Sequence, residues 1–385
     1  GYHDGDGEGA GSGQCGSGRR RKYGGIVIIR FFVPEHGIGE RREYRRHDRG
    51  LADAAVGWSI GKSECRRGTV ILRNGAIDDN VFERSVVKRL QSVRNPEGLR
   101  PSRAEGPVSF LTGHAGFLSV ITALNDLAAE GIRPEDIRIS ILLPEGSEEA
   151  LLRSIADEIH DAAAWAEVTV SACCAQTCRA VTRPVVWSMA RGSRRYFASG
   201  DTELFAEDCA EVLMIGRAGL SGTFLLAEEK RGELEERFPI RMLERAACMK
   251  ELLLMTPAME ALENCGIRPA WLVSGGDGGV LASLWELAKQ TGGGLEAELP
   301  AIPLFQETIE ITDYFGINPY QLSSAGCMLA VVADAESSSE LLAQKGIYSK
   351  KIGELTKGRD KILVNGEERQ SLNRPEADSL LTILA

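Results

Sequence analysis

Apolar residues recur at three- and four-residue spacing along several stretches of this chain, and each stretch predicts a helix with one buried stripe. These stretches span 80–93, 116–130, 151–159, 222–230, 240–254, 256–264, 306–315 and 338–345. Short continuous apolar runs predict strands at 108–111, 137–143, 168–171, 185–189 and 328–332, with closing strands near Ile352 and at 362–364. Ser147, followed by Glu149, reads as the cap of the 151–159 helix. Residues 1–25 are rich in Gly, Ser and charge and read as disordered, and 26–75 hold one strand-like run followed by an arginine-rich stretch of poor periodicity. The first 75 residues are therefore expected to be a poorly structured extension. Strands and helices alternate beyond them, with hairpin-like pairs mixed in, which favours a layered α+β fold with one unit over 76–195 and a second over 212–385.

One segment combines both patterns. The run Trp271-Leu272-Val273-Ser274-Gly275-Gly276-Asp277-Gly278-Gly279-Val280-Leu281 is an apolar strand, a glycine-rich turn and a helix start in direct succession. The helix continues through Leu284, Trp285, Leu287 and Ala288 until Gly292-Gly293-Gly294 ends it. Its first turn aims free N–H groups at the glycines, and those donors with the helix dipole favour an anion such as phosphate. The same text also suits a tight connection whose glycines only satisfy backbone angles. Asp277 is a candidate Mg2+ ligand, and equally an acid at a helix start.

Composition narrows the chemistry. The 385 residues suffice for two domains with full cores. No apolar stretch reaches the length of a membrane helix, so a soluble, cytoplasmic protein without a membrane partner is expected. The net charge of −10 argues against a nucleic-acid partner and leaves a small molecule or a protein. Nine scattered cysteines do not form a disulfide framework, and Cys173, Cys174 and Cys178 lack the second pair or the histidine that a zinc site needs. All five histidines lie in the first 160 residues, which removes histidine-based triads from the second unit.

Several segments together resemble the AIR synthase (PurM-like) superfamily, in the branch related to the hydrogenase maturation factor. They are Ala218-Gly219-Leu220-Ser221-Gly222-Thr223, the Gly278-Gly279-Val280 helix start, Phe315-Gly316-Ile317-Asn318-Pro319, Ser323-Ser324-Ala325-Gly326-Cys327-Met328-Leu329 and Ile352-Gly353-Glu354. Asn125-Asp126-Leu127-Ala128 resembles the family's Asn-Asp-Leu-Ala element, and Ile141-Leu142-Leu143-Pro144-Glu145-Gly146 the strand and turn after it. The resemblance implies a two-domain PurM-like fold, a first sheet that pairs in a dimer, and ATP with Mg2+ near that interface. It points to Asn125, Asp126, Gln176, Gly275, Gly276, Asp277, Gly278 and Gly279 for the nucleotide, with Asp126 and Asp277 for the metal.

The chain departs from the pattern at its acids. The acidic loop expected near 99–105 lacks its pair, Thr112 lies near the expected place of another acid, and the Gly-Gly-His-Thr-Glu-like element brings the neutral Gln176 where a carboxylate is expected. Arg179 stands in place of a later Asp, and the Asp expected before the second-unit glycines falls on Ser274. The maturation enzyme works through a C-terminal cysteine, and no cysteine follows Cys327, so cyanide-ligand synthesis by that mechanism is not expected here. Two readings stand. One is an ATP-dependent enzyme that activates or phosphorylates a small substrate; the other is a non-catalytic dimeric relative, pairing with itself or with an intact relative, that binds a ligand or a partner protein. No catalytic residue is assigned.

Overall fold

The computed structural model describes residues 113–197 and 210–384, together with the backbone of 103–109. The expectations for residues 1–93 lie outside the described residues, as do Thr112 and most of the 99–105 position.

The first unit is built on strand β2 (Asp136–Pro144), in which Ile137, Ile139, Ile141 and Leu143 are buried while Arg138 and Ser140 between them are exposed. That period of two gives the sheet one dry face. β2 pairs in parallel with β3 (Thr169–Cys178) and antiparallel with β4 (Val185–Arg191), and β1 (Arg103–Ser109) closes the order β1-β4-β2-β3. Helices α1 (Ala115–Ala129) and α2 (Glu149–Trp165) cover the dry face. The opposite face carries Ser140 beside Trp187, which is 43% exposed.

Two local features differ from the sequence pattern. Ser147 does not cap α2: its hydroxyl donates to the Pro144 carbonyl at 2.8 Å, closing the turn that Gly146 makes at φ +85°, and the helix begins two residues later. β3 runs seven residues past Ser171, because parallel pairing with β2 satisfies the backbone of a segment whose side chains show no strand pattern.

The second sheet has seven strands in the order β11-β10-β7-β9-β5-β8-β6. They are β5 (Glu211–Ile215), β6 (Trp271–Ser274), β7 (Gly294–Glu298), β8 (Met328–Val332), β9 (Ser349–Thr356), β10 (Lys361–Asn365) and β11 (Glu368–Ser371). β5 and β8 lie inside, and all five residues of β8 are buried. Leu329 and Val331 join a cluster with helix α7 (Gly279–Thr291), whereas Met328, Ala330 and Val332 join one with α6 (Thr256–Asn264) and α9 (Ala335–Gln344). Apolar cover on both faces explains why these strands read as unbroken apolar runs. The remaining helices are α3 (Leu220–Glu229), α4 (Arg231–Glu235), α5 (Ile240–Ala247), α8 (Gln306–Phe315) and α10 (Leu381–Leu384).

One core joins the two units. Leu124 and Leu127 of α1 share a cluster with Leu220, Phe224, Leu243 and Leu253, so α1 is apolar nearly all round. At this seam the Asn125 amide donates to the Leu253 carbonyl at 2.7 Å and its oxygen accepts the Met255 N–H at 2.8 Å. The clamp draws residues 253–255 away from α5, so the helix expected over 240–254 stops at Ala247 and tightens into a 3-10 turn at Cys248–Leu252. Arg133 adds ion pairs to Glu260 at 2.7 Å and Glu263 at 2.6 Å.

Asn125→Ala should leave two buried backbone groups without partners and cost about 2–4 kcal/mol in urea unfolding. A loss below about 1 kcal/mol would mean the clamp contributes little.

Candidate functional site

The glycine turn is the sharpest feature of the seam. β6 ends at Ser274, and Gly275 donates to the Cys327 carbonyl at 2.8 Å. The Gly276 carbonyl accepts from Ser324 at 3.0 Å and from Gly279 at 3.2 Å. Gly278 and Gly279 take φ of +77° and +70°, the left-handed region where a side chain is strained. A Cβ on Gly275 would lie 2.3 Å from the Ser324 carbonyl oxygen, and one on Gly279 2.4 Å from that of Tyr320. Those glycines are required by packing. Gly276 differs: a Cβ there meets nothing within 4 Å, so the outer side of the turn faces open space at the start of a 13-residue helix.

Carboxylates surround this turn. Asp126, from α1, accepts a hydrogen bond from the Ser274 hydroxyl at the end of β6. Burial pushes its carboxyl up to about 6, the Ser274 bond pulls the other way, and the charge of Asp277 adds to the rise. Asp277 sits at the exposed rim of the turn and is also raised, by partial loss of water. Asp378, near the end of the chain, is 6% exposed and accepts the Gly278 N–H at 2.9 Å. Burial lifts it to about 6, against the pull of the N–H groups of Leu380 and Gly278.

The structure thus gathers Gly275, Gly276, Asp277, Gly278 and Gly279 with Asp126 in one place. Asn125 adjoins Asp126 in sequence, but both ends of its amide are committed to the seam clamp. Gln176 lies apart. It pairs with Leu142 on the exposed side of the first sheet, opposite the face that α1 covers. Cys173 packs against the core while Cys174 donates to Ser140 on the other face at 3.3 Å, so adjacent positions of the strand separate the thiols. Burial pushes the Cys327 thiol up to about 12, which leaves it inert at neutral pH. Asp378 carried no sequence signal, because an acid in a polar C-terminal stretch has no periodicity to mark it.

Residues 210–365 match the model of the AIR synthase related protein, C-terminal domain. Over these residues, less than half of the chain, the sequence is similar to the C-terminal domain of AIR synthase related proteins. The chain is 29% identical over 252 residues to the carbamoyl dehydratase HypE of Rhodobacter capsulatus, covering 62% of this chain and 68% of that protein. To the HypE of Cupriavidus necator it is 25% identical over 253 residues, covering 62% and 66%. Each match therefore spans about two thirds of the relative's length. Among solved structures, E. coli HypE superposes with a TM-score of 0.58 at 17% identity, covering 78% of this chain and 98% of that one. A HypE–HypF complex gives 0.58 at 18%, covering 77% and 99%, and a HypE in complex with ATP gives 0.54 at 16%, covering 80% and 98%. These similarities give the chain the two-domain PurM-like fold. No helix among the described residues is long and apolar enough to cross a membrane.

The AIR synthase related fold implies ATP and Mg2+, and the residues fit the two unequally. An open glycine turn before a helix suits phosphate oxygens. A Mg2+ ion held by protein groups needs carboxylates free to bind it. Here Asp126 already accepts from Ser274, and no group of three or more His, Cys, Asp or Glu among the described residues could hold a metal ion. Among the described residues, the side chains do not compose a preformed Mg2+ site.

Raised carboxyls carry a definite sign. Asp126 and Asp378 bind protons in the fold up to about 6, against 3.8 for an ordinary aspartate. Between those values the folded chain holds more protons than the unfolded one, so these groups favour the fold at low pH and lose that contribution as pH rises. Relative to wild type, Asp126→Asn should therefore gain on the order of 2 kcal/mol between pH 4 and 7 in urea unfolding. A difference that stays flat across that range would contradict the shift.

Proposed function

We propose that this chain binds ATP at the seam between its two units, with the phosphates against the 275–279 turn on the open side of Gly276. The observation that carries the reading is the contrast among the glycines. Gly275 and Gly279 are glycines because a Cβ would strike the protein, whereas at Gly276 nothing within 4 Å demands one. Close approach of an external group supplies the missing reason. The AIR synthase related domain and the ATP-bound HypE of the same fold support the choice of ligand. The chain's own residues would orient the phosphates through backbone N–H groups and the α7 dipole, while the clamped seam holds the turn rigid.

One observation favours a binding role over phosphoryl transfer or carbamoyl activation. Transfer needs charge placed against the migrating group, and Ser274 and Gln176 offer neutral side chains where the family pattern has acids. We therefore read the chain as a HypE-like nucleotide-binding protein of the hydrogenase maturation type. The exposed face of the first sheet, with Trp187 on it, is the surface we assign to a second copy of the chain, or to a partner of the HypF type.

Calorimetric titration with ATP should show binding to the wild-type chain and at least a tenfold weaker interaction for Gly276→Leu, whose Cβ meets nothing within 4 Å. Unchanged affinity in Gly276→Leu at an unchanged unfolding midpoint would remove the nucleotide from this turn. Sedimentation of the same wild-type sample should read the mass of two chains, and a single-chain mass would remove the self-pairing.

A further inference from the structure

The C-terminal segment supplies the glycine turn with an anion of its own. Leu372 is buried, residues 373–377 are exposed, and at Asp378 the chain dives back into the protein. One Asp378 oxygen accepts the Gly278 N–H at 2.9 Å. The other accepts from Leu380 at 2.8 Å and Ser323 at 3.3 Å. Ser379 donates to the Gln321 carbonyl at 3.3 Å, and Leu380 and Leu384 sit in the core that joins the two units. The segment is thus anchored at both ends over the turn, with a short exposed stretch between.

We propose that residues 378–384 form an internal strap whose Asp378 carboxylate occupies the anion position at the start of α7 and competes with the phosphate of an incoming nucleotide. The proposal rests on the nucleotide reading above and adds its regulation. A carboxylate accepting the Gly278 N–H at a helix start satisfies the same donor and dipole that a phosphate oxygen would use. Both cannot hold that N–H at once. Asp277 places a second negative charge beside Asp378, so the strap is held against repulsion and its anchorage depends on Leu380 and Leu384. An external phosphate that displaces Asp378 would swing the strap about the exposed 373–377 stretch and take over the Gly278 N–H.

The test is calorimetric titration of the full chain with ATP and with inorganic pyrophosphate, comparing wild type, Asp378→Asn and Leu380→Ala. Amide exchange of residues 378–384 is followed alongside. Asp378→Asn removes the competing charge, and Leu380→Ala loosens the anchor while leaving the carboxylate, so either variant tests the strap should the other fold poorly. The expected result is affinity for both ligands about tenfold higher in Asp378→Asn, the scale of one lost charge-assisted hydrogen bond, with a smaller gain in Leu380→Ala. Saturating ATP should also speed exchange of the strap in the wild type. Equal ATP affinity in all three proteins with unchanged exchange would overturn the strap and leave the nucleotide reading standing. Pyrophosphate binding gained by Asp378→Asn without ATP binding in any protein would uphold the strap and end the nucleotide reading. No binding of either ligand to any of the three would end both.

Discussion

The seam between the two sheets depends on how it treats one carboxylate, Asp126. A carboxylate drawn out of water must be neutralised, paired with a cation or given hydrogen-bond donors. Here α1 carries Asp126 against the end of β6, where Ser274 donates to it. An acid in place of Ser274 would add to the repulsion that Asp277 already exerts on Asp126, whereas the serine donates a hydrogen bond. The contact therefore holds the units together without any added group, and it works beside the Asn125 clamp and the ion pairs of Arg133.

The glycine turn shows a similar economy. Its peptide groups are held by Cys327 and Ser324 on the inner side, and its helix start is held by Asp378 from the end of the chain. A helix N-terminus attracts anions whatever their source, so a carboxylate of the same chain and a phosphate of a ligand answer to the same physics. Only the outer side of Gly276 is left open. The turn thus has Asp126, Asp277 and Asp378 around it and one open approach, at Gly276.

Much of the fold was legible because the second unit has strong periods. The helices Thr256–Asn264 and Gln306–Phe315 and the strand Met328–Val332 match their apolar patterns residue for residue. Strands Glu211–Ile215 and Gly294–Glu298 went unseen, the first beside a polar stretch and the second hidden behind the glycines that end α7. Both exist because neighbouring strands satisfy their backbones, a property of the sheet and not of the segment. Within the site, the turn was readable from its glycines and Asp126 from its family element. Asn125 looked like part of the same element, but its amide is used 128 residues away in the chain. Asp378 could not be read at all, since its meaning lies in a contact across 100 residues.

The seam gives hydrogen-bond donors to Asp126 and Asp378 and needs no cation between them. Thermal unfolding of the chain without nucleotide, in EDTA and in millimolar Mg2+, tests this most directly, because an ion bound by the folded state raises the midpoint by mass action. The two midpoints should agree within about 1 °C. A rise of several degrees with Mg2+ would show a cation held at the seam and contradict it.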